Sequence, residues 1–206
     1  MGENFIGPSE LSVIADKMGI ISPHEVKTAI PEIPFESSFL KKISKDFILI
    51  LGIPLTGKRE LLTLGNMRLF FGIDPSIKEP CFYNQDWYIK ENFVTKVKMD
   101  FNWHLVKKAV YENSRGMNPE DFLEQHGKEI RLPSAVLCAY SFFAWYFHTK
   151  GELLWKNDYI WCKDKDNQGD QVYVGRYSDP HGFNKNGFSI HRHLSIKFCY
   201  GVISGF

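Results

Sequence analysis

Neither sign of charge prevails in this chain: 25 Lys and Arg stand against 24 Asp and Glu, a net +1. It therefore lacks the field that draws a protein to nucleic acid or to an anionic membrane, and any partner is recognised locally. Long apolar runs are missing too. The longest, Phe47 to Leu51 and Ala135 to Phe147, are too short or too polar for a bilayer span of about 20 apolar residues, so no membrane insertion is expected. Met1-Gly2-Glu3-Asn4 has neither the basic start nor the small-residue cleavage site of a secretory signal, which predicts a cytoplasmic protein. The four cysteines, Cys81, Cys138, Cys162 and Cys199, form no C-x-x-C pair. That excludes a zinc ribbon and a redox motif and predicts buried free thiols. There is no internal repeat and no low-complexity tract.

What is present is apolar surface. In 206 residues, 44% are hydrophobic and 15% aromatic, enough to offset ordering entropy and build one core with an appendage. Residues 1–45 are predicted to be an N-terminal extension packed on a body formed by 46–206. The extension carries a helix starting near Ser9 and another from Pro23 over His24 to Ala29, and Pro31 and Pro34 end its regular structure. Phe47-Ile48-Leu49-Ile50-Leu51, closed by Gly52 and Pro54, reads as a buried strand. Helices are predicted over Thr63 to Phe71, Trp103 to Tyr111, and Pro119 to His126 with Asn118 as cap and Gly127 as stop. Another opens at Pro133 and runs to about His148. Its Val136, Leu137, Tyr140, Phe143, Ala144 and Phe147 recur at helical spacing. Strands are predicted at Tyr159 to Cys162 and Gln171 to Tyr177, forming a hairpin around the polar turn Asp164 to Asp170, and at Phe198 to Ser204. Helices followed by a run of strands argue for an α+β fold with an antiparallel sheet.

Three chemical motifs are incomplete. Gly52-Ile53-Pro54-Leu55-Thr56-Gly57-Lys58 has the spacing of a phosphate-binding loop after a strand, but Arg59 stands where magnesium needs Ser or Thr. A polar turn is the better reading, with a nucleotide site at Lys58 as an alternative. Asp164-Lys165-Asp166-Asn167-Gln168-Gly169 resembles the start of a calcium loop, yet Gly175 stands where its bidentate acid belongs. His191 and His193, even with His181 or Asp179, lack a further ligand or a general base. No cofactor, no metal and no catalytic residue are expected, and Ser134 reads as a helix cap rather than a nucleophile.

From Ser178 to Tyr200 the composition changes. None of these 23 residues is Glu, Gln, Met or Trp and two are Lys, whereas those five types make up 44 of the other 183. Mutating the adenines of an asparagine codon that ends in a pyrimidine yields fifteen amino acids and never those five. Adenine-directed diversification leaves this footprint.

The order Phe47 to Pro54, Trp103 to Lys108, Leu132 to Ala135, Gly151 to Leu154 and Val172 to Tyr177 resembles the variable proteins of diversity-generating retroelements, including those of archaea, their viruses and small-genome bacteria. The resemblance covers roughly residues 46–206. It implies a C-type lectin fold of the formylglycine-generating-enzyme subtype, in which Arg131-Leu132-Pro133-Ser134 opens a helix and Tyr159-Ile160-Trp161 forms a strand. It further implies a receptor-type, non-enzymatic binding protein, diversified near 176–200, with a protein or cell-surface partner. Display on a viral particle or cell surface by another route is the alternative to the cytoplasmic location, and a monomer is expected over an oligomer. Gly175 and Gly182 are implied to be scaffold. Arg176, Ser178, Asp179, His181, Asn184, Asn186, Phe188, Ile190, His191, Arg192, His193, Ser195 and Tyr200 are implied to be ligand-binding positions that face solvent. The stretch His191-Arg192-His193 with Ser195 departs from the acidic and tryptophan-rich pattern frequent in the family. An enzyme of the formylglycine-generating type is the alternative, with Cys162 and Cys199 as its only candidate thiols.

Overall fold

The computed structural model describes residues 1–127, 129–178, 186–193 and 195–205. Its elements run β1 (Phe5–Ile6), α1 (Pro8–Met18), α2 (Ser37–Ile43), β2 (Phe47–Leu51), α3 (Leu64–Phe71), α4 (Asn92–Thr95) and β3 (Trp103–Lys107). Then come α5 (Pro119–His126), α6 (Ala135–His148), β4 (Tyr159–Lys165), β5 (Gln171–Gly175), β6 (Ser189–His191) and β7 (Tyr200–Gly201). Helices and two small sheets make a mixed α+β architecture, as the element order predicts.

The first sheet has the order β1-β2-β3, with β1 parallel and β3 antiparallel to β2. The second has the order β6-β5-β4-β7, with β4 and β5 an antiparallel hairpin and β7 parallel to β4. Helix α6 packs on both. Every residue from Ala135 to Trp145 is buried, as expected of a helix apolar on all sides. Its Tyr140 hydroxyl donates to the Leu51 carbonyl of β2 at 2.9 Å, while the Phe142 ring lies tilted 5.0 Å from Phe188 beside β6. The N-terminus of α6 is fixed by side chains. Ser134 Oγ accepts from Leu137 N at 3.2 Å and Asp164 Oδ2 from Ala135 N at 2.6 Å. Burial raises the Asp164 pKa against that backbone bond.

Residues 1–45 join the same core, since β1 extends the first sheet and Leu11, Ile14, Ala15 and Met18 of α1 are buried with α6. Side chains alternate along β4, as the pleat requires. Ile160 and Cys162 face the main core, whereas Tyr159 and Trp161 join Tyr173, Tyr200, Val202 and Phe122 in a second, aromatic core on the other face. After β7, the chain runs beside β3, where Tyr111 N donates to Val202 O and Lys107 N to Ser204 O. Among the described residues no helix is long and apolar enough to cross a membrane.

Several expected elements are corrected. Trp103 to Tyr111 is not a helix: Trp103–Lys107 pairs residue by residue with β2, Trp103 opposite Leu51 and Lys107 opposite Phe47. Tertiary pairing decides a run whose apolar residues fit either period. His24 to Ala29 reduces to one 3-10 turn at Pro23–Glu25. The closing strand is regular only at Tyr200–Gly201, and β5 stops at Gly175 instead of Tyr177.

Candidate ligand-binding surface

The segment from Arg176 to Cys199 leaves the sheet beside Tyr159, adds β6 to the outer edge of β5 on its way, and returns beside the same Tyr159. Gly175 lies opposite Tyr159 on one side of β4, and Tyr200 lies opposite the same Tyr159 on the other. Backbone bonds fasten both ends: Arg176 N donates to Asp158 O at 2.8 Å, and Tyr159 N donates to Cys199 O at 2.8 Å. The exit needs glycine. Gly175 has φ 118, and a Cβ there would lie 2.7 Å from the Asp158 carbonyl oxygen.

Within the segment, one stretch folds inward. Phe188 N donates to Cys81 O at 2.9 Å and Tyr83 N donates to Phe188 O at 3.0 Å, stitching it to the 81–83 strip. At Gly187 a Cβ would meet Tyr83 N at 2.4 Å. Phe188 and Ile190 are fully buried and Tyr200 nearly so. The expectation that these three face solvent is therefore corrected. Phe188 packs among Phe82, Phe142 and Phe143, Ile190 sits on the core side of β6 opposite Val174, and Tyr200 packs 4.9 Å from Tyr173 in the aromatic core.

The remaining described positions grade from half-buried to exposed. Arg176 places its guanidinium over the Tyr159 ring at 5.6 Å, and Ser178 is half-buried, its N–H donating to Lys156 O at 3.2 Å. His191 is half-buried against Tyr173 and Tyr159, with Gln85 Nε2 3.1 Å from its Nε2. Burial, with the Arg176 charge adding to it, brings its pKa down to about 4. Arg192 lies over the Trp87 ring at 4.5 Å and pairs with the Asp166 carboxylate. Asn186, His193 and Ser195 are exposed. Asp179, His181, Gly182 and Asn184 lie outside the described residues.

Sequence reasoning missed Gln85 and Trp87, which carry no local signal, and, although it marked the turn Asp164 to Asp170, it missed that Asp166 and Asp170 hold this segment, because the two stretches are distant in the chain. It also missed Phe198, 73% exposed beside Arg115, and Ile196. A large aromatic within the polar stretch is the signal that marks Phe198.

The incomplete motifs resolve as structural turns. Arg59 N donates to Thr56 O, with Arg59 in the left-handed region at φ 63. Helix α3 starts only at Leu64, so no helix N-terminus follows Lys58 directly as a phosphate loop requires. In the calcium-like turn, Asp164 caps α6 while Asp166 Oδ1 accepts from Gln168 N at 2.8 Å and Asp170 N at 2.9 Å. Two cysteines do meet, although no spacing announced them: Cys138 and Cys162 adjoin in the core, where burial and the Cys138 contact push the Cys162 thiol up. Burial there disfavours the thiolate, the form that attacks electrophiles or binds metal.

No family model matches the chain, and neither the curated proteins nor the solved structures give a match.

Proposed function

We propose that 176–200 is a diversified recognition segment on a fixed α+β frame, and that the protein binds a protein or cell-surface partner through it without catalysis. The observation that carries this reading is the double fastening at Tyr159, which lets side chains between the two ends change without altering where the segment begins or stops. Asn186, His193, Ser195 and Phe198 are exposed in it. Asparagine, serine, histidine and aromatic groups give adaptable hydrogen bonds and contact area, as paratopes use them. Phe188, Ile190 and Tyr200 belong to the frame in this reading. A C-type lectin fold of the formylglycine-generating subtype is part of the proposal. It is supported by Arg131 to Ser134 leading into α6 and by Tyr159 to Trp161 forming the start of β4. Binding is preferred over oxidation because the two candidate thiols are kept apart: Cys162 is fully buried against Cys138 in the main core, whereas Cys199 is half-buried against the aromatic core on the other face of β4.

The test is the DNA beside the gene. A near-copy of the codons for 176–200, differing mainly at adenines and next to a reverse transcriptase gene, is expected. Flanking DNA without such a copy, in a strain whose sibling genes encode identical tails, overturns the proposal.

A further inference from the structure

Two motifs that fail separately as metal sites meet in the fold. Asp166 and Asp170 flank the β4–β5 turn, and His193 reaches them from the chain after β6. One ligand atom from each of the three lies within 4.8 Å of the others, and His193 Nε2 is 3.2 Å from Asp170 Oδ2. The Asp166 side chain is fully buried, while those of Asp170 and His193 are 43% and 51% exposed. The cluster thus has a fixed floor and two accessible arms. Asp166 Oδ1 accepts two backbone N–H groups and Oδ2 accepts from Arg192, which uses three of the roughly four lone-pair positions of a carboxylate and leaves one. Two carboxylates against one guanidinium leave a net negative charge facing the imidazole.

We propose that Asp166, Asp170 and His193 bind a first-row transition-metal dication of the zinc class, with water completing the coordination. Two carboxylate oxygens and one imidazole nitrogen, with no thiolate, form a donor set that zinc, cobalt and nickel accept. Calcium wants six to eight oxygens, and this cluster supplies too few. Both acids come from the hairpin and the imidazole from the segment read above as variable, so the ion ties that segment to the hairpin. The inference does not depend on the segment being diversified. If it is, the site belongs to this sequence and not to the fold.

The test is titration of the full chain with Zn²⁺ by calorimetry and with Co²⁺ by its visible d–d bands, which report carboxylate and imidazole ligation. One ion per chain is expected. His193→Ala and Asp170→Asn are each expected to weaken binding at least about tenfold, since even outer-shell partners of metal ligands are worth that much. His148→Ala, remote from the cluster, leaves binding unchanged. Zinc raises the thermal midpoint of the parent chain and not that of His193→Ala, which remains a readout because His193 is exposed and its loss does not threaten folding. Absence of binding by either ion, or binding that His193→Ala and Asp170→Asn leave untouched, overturns the proposal.

Discussion

Phe188 and Asn186 stand two residues apart in the tail and play opposite parts. Phe188 is fully buried, with three phenylalanine rings between 5.0 and 6.0 Å away. Phe188→Ala is expected to cost about 3–5 kcal/mol by chemical denaturation, the range for a buried Phe that leaves a cavity. Asn186→Ala and Ser195→Ala are expected to stay within about 0.5 kcal/mol, as surface changes do. Equal costs at the three positions would contradict the division between frame and surface. His191 supplies a pH dependence. Its folded pKa, near 4, lies below the roughly 6.5 of an unfolded histidine. Between those values the unfolded chain binds more protons than the folded one, so stability is full above about pH 6.5 and declines as pH falls toward 4. The loss reaches up to about 3 kcal/mol, at 1.36 kcal/mol per unit. His191→Phe keeps the aromatic packing and is expected to flatten this part of the profile in denaturant titrations at stepped pH.

Strand β5 ends where the backbone turns at Gly175, and that turn sets the direction of everything after it. Gly175→Ala is expected to destabilise the protein by about 1–3 kcal/mol, because the left-handed backbone and the Asp158 carbonyl both oppose a Cβ. Gly72→Ala, with positive φ and nothing within 4 Å of the added Cβ, is expected to cost less in the same measurement. Elements defined by local chemistry were legible in the sequence. Asn118 and Gly127 bound α5, and Asn118 Oδ1 accepts from Glu120 N at 2.9 Å. The apolar faces of β2, α6, β4 and the start of β5 were equally plain. Strand β3 was not, because Trp103, Leu105 and Val106 satisfy a helical stripe as well as a strand, and only pairing with β2, more than fifty residues earlier, decides between them. The inward fold at Gly187–Ile190 was hidden for the same reason: its partners lie at 81–83 and in α6.

Over the molecule as a whole, the core and the α+β class follow from composition and element order, whereas the arrangement of the candidate site does not. Arg192 and His193 could be singled out from their own neighbours in the chain. That Trp87 underlies the one and Asp170 meets the other depends on where β4, β5 and the 81–91 loop converge. The fastening of both ends of 176–199 to Tyr159 has a practical consequence. The stretch between His191 of β6 and Tyr200 of β7, which returns to β4, is a ready splice site, since the free energy of closing it rises only with the logarithm of its length. Doubling it adds only about 0.6 kcal/mol. A flexible Gly-Ser insert placed between Ser195 and Ile196, away from the β6 pairing and the Tyr200 return, is expected to lower the denaturation midpoint only slightly. The same insert between Gly187 and Phe188 would tear the seam to the 81–83 strip and is expected to abolish cooperative unfolding. Inserted peptides of foreign origin could thus be carried by this chain as passengers.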